Sequence, residues 1–318
     1  MRRPLASVAA AALAALPAAG RATEPLDLDL VRLGAPSAQV WTGLGAAAGT
    51  PLAAGEADQL ASDARKRFAI LSSEMALALS SAVLQPASTT GDDGFDVSAE
   101  AAYVAVKPAP IGDPANTLSF PAQSQWPTYG PAPHGLLIPS FHVRKGLPYS
   151  LEVGGRLLWV SQSSMYAGQL EAKWALQEGF SYSPDLALRA AWTQLFGQRD
   201  WNLGTGDVDA MISKRWATGA GASLTPYLAA RFTFLDASTG TMVYGLDATG
   251  APLSASFPTL HAIFYRTTLG LRFTASRLSL AAEATYFGGN GLGKTDPDYP
   301  GFKVASSFGG AGRLGFEF

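Results

Sequence analysis

From Gly94 to Phe318 the chain alternates, with an apolar residue at every second position and polar or charged residues between. Only an extended backbone gives that period, because its successive side chains leave on opposite faces. Phe95, Val97, Ala99, Ala101, Tyr103 and Ala105 oppose Asp96, Ser98 and Glu100. Leu137, Pro139, Phe141 and Val143 oppose Ser140, His142 and Arg144. Tyr149, Leu151, Val153, Leu157 and Trp159 oppose Glu152 and Arg156, and Tyr166, Leu170, Ala172, Trp174 and Leu176 oppose Gln169, Glu171 and Lys173. Leu186, Leu188, Ala190 and Trp192 oppose Arg189; Val208, Ala210 and Ile212 oppose Asp207, Asp209 and Arg215; Leu228, Ala230, Phe232 and Phe234 oppose Arg231. Ile263, Tyr265, Leu269, Leu271 and Phe273 oppose Arg266 and Arg272, and Leu278 to Tyr286 oppose Glu283. Such a chain is predicted to be all-β, with one apolar and one polar face to each strand.

The closing run, Ser307 to Phe318, sets Phe308, Gly310, Gly312, Leu314, Phe316 and Phe318 against Arg313 and Glu317. A last strand that ends on an aromatic residue resembles the terminal signal of bacterial outer-membrane β-barrels, the general porin-like class. The resemblance implies a Gram-negative outer membrane, with its lipid against the apolar faces and the barrel assembly machinery as a partner of this strand. The expected fold is a closed antiparallel up-and-down transmembrane β-barrel of about ten strands, with twelve as the alternative count and a helical segment ahead of it. A soluble β-sandwich would use the same alternation. Its wet face would be rich in Lys and Glu, whereas here charged residues are only 15% and Gly (34) and aromatics (10%) are plentiful.

Connection lengths support a barrel. Those near residues 146, 181, 219 and 276 are short to medium, those near 162 and 199 intermediate, and those at 107–135, 236–258 and 288–301 long. Short turns on one rim and longer loops on the other match the two ends of an outer-membrane barrel. An even strand count places both ends of the barrel domain in the periplasm. Tyr149 and Trp159, on one face, would be separated by roughly 25 Å along the axis, the height of the lipid-facing band. Tyr149, Trp159, Trp174, Trp192, Tyr286 and Phe318 are therefore candidates for the aromatic girdles. At the ASR turn, pairing Thr274 with Ser279 sets Gly270 opposite Glu283 and leaves Glu283 diagonal to Arg272.

The first residues carry an address. Arg2 and Arg3 precede an Ala- and Leu-rich run from Leu5 to Leu16, and Gly20 and Ala22 suit cleavage before Thr23. This is the layout of a signal peptide at 1–22, and the run is too short to span a membrane as a helix. Residues 23–91 form the next segment. Within it Leu60, Ala64, Phe68, Leu71, Met75 and Leu79 recur at helical spacing, predicting a helix over 56–71, with 72–85 left open. One apolar stripe needs a partner, so the segment is expected to be periplasmic or to plug the lumen, with partial insertion or docking at the periplasmic mouth favoured over free exposure. The barrel domain is 94–318.

Function is less constrained. The near-balance of 23 basic and 25 acidic residues argues against nucleic acid, and the absence of Cys removes disulfide and thiolate chemistry. The inward charges Glu100, Arg144, Glu152, Arg156, Glu171, Lys173, Arg189, Arg231, Arg266, Arg272, Glu283 and Arg313 are the candidate lumen lining. They are expected either to pair across a narrow interior or to select solutes in a polar passage. No GxSxG or HExxH motif accompanies the three histidines, so no catalytic residues are assigned and the chain is expected not to be an enzyme. Ser140 and His142 are neighbours by geometry alone. The acid pairs Asp92–Asp93 and Asp296 with Asp298 are turn residues first, so no metal or other cofactor is expected. Taken together these features predict a narrow passive channel for small solutes, with a non-conducting scaffold or adhesin acting through long outer loops as the alternative.

Overall fold

Ten long runs of alternating residues can satisfy their main-chain groups only by pairing with one another, and without an edge they must close on themselves. The computed structural model describes residues 24–49, 51–80, 82–107, 125–128, 130–219, 221–288, 298–299, 302 and 304–318. The expected signal peptide, most of the 107–135 segment and Asp296 lie outside them. The wall is formed by β1 (Phe95–Ala105), β2 (Gly135–Leu147), β3 (Leu151–Trp159), β4 (Tyr166–Gln177), β5 (Asp185–Phe196) and β6 (Trp201–Ser213). A short β7 (Trp216–Gly219) precedes β8 (Ala222–Thr239) and a hairpin of β9 (Met242–Leu246) and β10 (Pro252–Ala255). β11 (Leu260–Ala275), β12 (Leu278–Phe287) and β13 (Ser307–Glu317) complete the chain.

Sequential antiparallel pairing runs from β1 to β6, then through β8, β11, β12 and β13, and back to β1. That is the expected closed ten-stranded barrel; β7 pairs only with one end of β8 and is an extra strand. The seam pairs Asp96 with Glu317 and Glu100 with Arg313. It is locked where Phe95 N donates to Phe318 O (3.1 Å) and Phe318 N donates to Phe95 O (2.8 Å). At the ASR turn Thr274 does face Ser279 and Gly270 does face Glu283.

Polarity is inverted relative to a soluble domain. Leu170, Leu188, Trp192, Phe232, Leu269, Leu280 and Leu314 are exposed on the outside, while Glu100, Arg144, Lys173, Arg189, Asp209 and Arg231 are buried within. Water around such a molecule would meet a continuous apolar belt, which is stable only against lipid. No described helix is long and apolar enough to cross a membrane.

The N-terminal segment departs most from expectation. A 3-10 turn at Leu30–Leu33 leads to α1 (Ala38–Ala47) and α2 (Glu56–Leu79). α2 continues eight residues past the predicted end, Leu71. Its last stretch, LSSEMALAL, is buried on every side, so small Ser and Ala residues make it slender enough for a ten-stranded interior. The Ser73 hydroxyl turns back to the Ala69 carbonyl (2.7 Å), which satisfies it inside the helix.

The segment also docks at the other end from the one favoured by sequence. Leu28 bridges to Thr128 of the β1–β2 connection, Leu26 N donates to Gln162 O of the β3–β4 connection, and Gln198 of the β5–β6 connection donates to Leu28 O. Phe68 stacks on Phe257 before β11 (centroids 4.6 Å) and lies beside Tyr299. All these connections lie on the long-loop rim, because the helix's apolar partners are the loops and the apolar strand ends there. α1 packs on the β9–β10 hairpin, where a side chain at Gly43 would meet Leu253. From α2 the chain passes inward and reaches β1 at the short-turn rim. There it makes a close crossing, since a Cβ at Gly146 would fall 1.8 Å from the Gly91 carbonyl oxygen.

Two smaller corrections concern the rim. Tyr149 is in the β2–β3 turn with positive φ (64°), as is Ser150 (57°), so the tight connection is centred on 148–150 rather than 146. Arg215, assigned to the inward face, is exposed just past the end of β6.

The two faces of β3 can be tested side by side. Leu157→Arg places charge against lipid and should cost about 2–4 kcal/mol. Leu158 is buried beneath α2, so Leu158→Arg should cost at least as much, because the adjoining space holds about one water and the nearby Glu100 is already held by Arg156 and His142. Urea titration of liposome-folded protein measures both. A much smaller penalty at 158 would mean a wet interior.

Candidate functional site

The interior is built in two levels. Near the long-loop rim the inward positions are apolar: Val104, Leu136, Ile138, Leu158, Leu195, Leu203, Leu235, Phe264 and Phe287 surround Phe68, Leu71, Met75 and Leu79 of α2. Each buried side chain of this size contributes about 1.5–3 kcal/mol. This level was missed by sequence reasoning, although its signal was present. At the rim ends of the strands the alternation gives way to runs such as Leu136-Leu137-Ile138 and Leu157-Leu158-Trp159-Val160, in which both faces are apolar.

Below it the inward positions are charged. Arg144 of β2 reaches Asp96 of β1 (3.2 Å) and Glu152 of β3 (3.2 Å), and Lys173 of β4 reaches Glu152 (3.0 Å). Arg156 Nε meets Glu100 (2.9 Å), and His142 lies between Glu100 and Glu171, 3.1 Å from each. Arg189 bridges Glu171 and Asp209 (2.7 Å to the latter), and Arg231 joins Asp209 to Asp207. Arg313 pairs with Asp96 and lies near Glu100 (3.7 Å). Each of these carboxylates thus meets a cation, as burial demands, although Arg231 of β8 and Arg266 of β11 face one another in register.

Through this belt runs the chain itself, Ser80 and residues 82–90. Ser80 donates to Asp207 Oδ1 (2.6 Å), and Arg266 donates to the Ser80 carbonyl. Arg156 donates to Ala82 O (3.1 Å). Val83 N and Leu84 N donate to the two oxygens of Glu283 (3.0 and 2.8 Å), which also accepts from Tyr227 (3.1 Å). Gln85 exchanges hydrogen bonds with Glu171, Arg144 and Lys173 (3.2, 2.5 and 2.9 Å). Lys173 also donates to Ser88 O (2.9 Å) and Pro86 O (3.5 Å). Ala87 N donates to Ser213 (3.0 Å), Thr89 N to Glu178 (2.7 Å) and Thr90 N to Glu152 (2.9 Å). Two spaces between wall and thread, one beside Glu283 and Arg266 and one beside Glu100 and Arg156, each measure about 10 Å³, room for about one water.

All twelve candidate lumen residues thus face inward and are buried. Their partners differ from the strand-neighbour expectation at one point. Glu283, although diagonal to Arg272 in register, is taken up by the main chain at 83–84, and Arg272 pairs instead with Glu317. Tyr227 is drawn to Glu283 across Gly270, where a Cβ would fall 2.0 Å from its ring. The aromatic candidates divide between the rims. Trp159 ends β3 and Tyr286 packs on Phe308 (centroids 5.2 Å) near the long-loop side. Trp174, Phe318 and the turn residue Tyr149 lie towards the short-turn side. Trp192 is set further down β5, against Gly204.

At the long-loop mouth Glu74 of α2 accepts from Trp126 Nε1 (2.6 Å) and Gln125 (3.0 Å). Burial pushes its carboxyl above the ordinary value, and those donors offset part of the rise. Among the described residues no group of acids and histidines could hold a metal ion. Ser140 lies 3.5 Å from Glu100 and not against His142's free face, and both are sealed inside the belt.

Two outcomes follow. Glu283→Ala should destabilise the barrel by ~3–5 kcal/mol, because two buried N–H groups and the Tyr227 hydroxyl lose their acceptor; urea titration measures it. Glu74 has a higher pKa folded than unfolded, so its contribution is present below the ordinary carboxylate range and is lost as pH rises through the raised value. The urea midpoint should therefore fall as pH is raised across that window, and Glu74→Gln should flatten the dependence.

No protein-family profile and no curated sequence matches the chain. Solved structures do resemble it at low identity. The N-terminal barrel domain of Pseudomonas aeruginosa OprF is 11% identical over 72% of this chain and 99% of that one (TM-score 0.30). Neisserial surface protein A is 13% identical over 71% and 100% (TM-score 0.30). The translocator domain of the autotransporter NalP from Neisseria meningitidis is 11% identical over 72% and 89% (TM-score 0.36). At these scores the assignment rests on this chain's own geometry: a closed antiparallel ring, apolar outside and charged within, which is the bacterial outer-membrane β-barrel fold.

Proposed function

We propose that the protein is an outer-membrane barrel that does not conduct and serves as a scaffold for the structured surface at its long-loop end. One observation carries this: among the described residues the interior is filled along its length by α2, Ser80 and residues 82–90, with buried ion pairs and, beside Glu283 and beside Glu100, two spaces of about one water each. A passage for small solutes needs a continuous wet path. In the proposed orientation the short-turn rim, where the seam locks Phe95 to Phe318, faces the periplasm, and the β9–β10 hairpin, α1 and the long connections face outward. Export by the 1–22 signal and engagement of the assembly machinery by the strand ending in Phe318 belong to the same proposal.

Planar-bilayer recording of the purified full chain tests it. No stepwise conductance should appear at moderate voltage. A steady conductance, with matching swelling of protein-loaded liposomes in small sugars, would overturn the scaffold role in favour of the passive channel.

A further inference from the structure

A strand inside a closed barrel faces a specific difficulty. Its own N–H and C=O groups need partners, yet the wall's main chain is already consumed by its ladder. Only side chains long enough to reach the axis can serve. At Ser80 and residues 82–90 they do, and they address the thread's main chain as well as the side chains of Ser80, Gln85 and Thr89. Arg266 and Arg156 donate to the carbonyls of Ser80 and Ala82, and Lys173 donates to those of Pro86 and Ser88. Glu283 accepts from two successive amides at 83–84, and Glu152 from that of Thr90.

The thread continues α2, and the two ends of this combined path lie on opposite sides of the barrel. Thr90 meets Glu152 at the start of β3 on the short-turn rim, whereas Phe68, Leu28 and Leu26 pack against connections of the long-loop rim. We infer that the lumen is a binding site for one non-helical polypeptide segment, recognised through its main-chain groups together with Ser80 and Gln85. Together with the last turns of α2, its occupant makes an eleventh crossing of the membrane that tethers the segment from Glu24 to about Phe68 at the outer face. The ligand class is an uncharged run without aromatic residues: the occupant reads Ala-Val-Leu-Gln-Pro-Ala-Ser-Thr-Thr, and Val83 and Ala87 pack on Ala175, Ala187 and Ala229 of the wall. The sidedness rests on the orientation proposed above; the tether itself does not depend on whether the lumen conducts.

The chain contains no Cys, so single cysteines report cleanly. Thr42→Cys is on an exposed face of α1 and Tyr182→Cys is in the fully exposed β4–β5 turn. With a membrane-impermeant maleimide on intact cells, the Thr42→Cys chain should label and the Tyr182→Cys chain should label only after permeabilisation. Labelling of Thr42→Cys only after permeabilisation would overturn the tether even if the protein proved non-conducting. A conducting wild type with Thr42→Cys labelled from outside would remove the scaffold role and leave the tether standing. Main-chain recognition is tested in the full chain by Val83→Ala against Val83→Pro, which removes one amide that Glu283 accepts. The alanine chain should stay closed in bilayers and the proline chain should show openings. Glu283→Ala, which removes the acceptor from the wall, should resemble the proline chain. Equal behaviour of the alanine and proline chains would overturn the main-chain site.

Discussion

The interior of this barrel is organised by one requirement: every polar group carried into it must find a partner from among the side chains already there. The wall spends its own amides and carbonyls on strand pairing, so a polypeptide lying along the axis cannot join the sheet. It must be met by carboxylates, guanidinium groups and amines reaching in from several strands. Those groups, in turn, would be costly as unpaired buried charges. Wall and thread therefore solve one another's problem. The oxygens of Glu283 are satisfied by hydrogen bonds from the amides at 83–84 and from Tyr227, and Lys173 divides its donors between Glu152, Gln85 and the Ser88 carbonyl.

The same requirement explains why the interior has two levels. A helix satisfies its own main chain, so the part of the lumen that holds α2 needs no polar lining, and inward Val104, Ile138, Leu158 and Phe264 pack on it as in a soluble core. Where the helix ends at Leu79 the main chain becomes exposed to the interior, and the wall turns polar at that point with Asp207, Thr233, Arg231 and Arg266 around Ser80. The change from apolar to charged lining thus follows the change from helix to non-helical chain along the axis.

For function, this makes the contents of the barrel as much a part of the protein as its wall. The outer belt of Leu, Phe and Trp holds the molecule in lipid and the aromatic side chains divide between its two rims. At the long-loop end α1, the N-terminal half of α2 and the β9–β10 hairpin form a small second core around Trp41, Leu60 and Tyr244.

The sequence by itself determined the wall. Strict alternation fixed which side chains point in and out on all ten strands, because a one-residue slip would put charge into lipid, and the three-residue ASR link fixed the β11–β12 register, because a tight turn leaves no slack. The inward position of Glu100, Arg144, Lys173 and Glu283 was legible for the same reason. Their partners were not: Glu283 is diagonal to Arg272 on the wall, yet two amides nearly 200 positions earlier take it. Nor did the local pattern say that the helix would run on through Ser72 and Ser73, or dock at the long-loop rim. Period two is a local consequence of the extended backbone, whereas what fills a closed ring is decided only once the ring exists and its unmet polar groups must be shared with whatever lies inside.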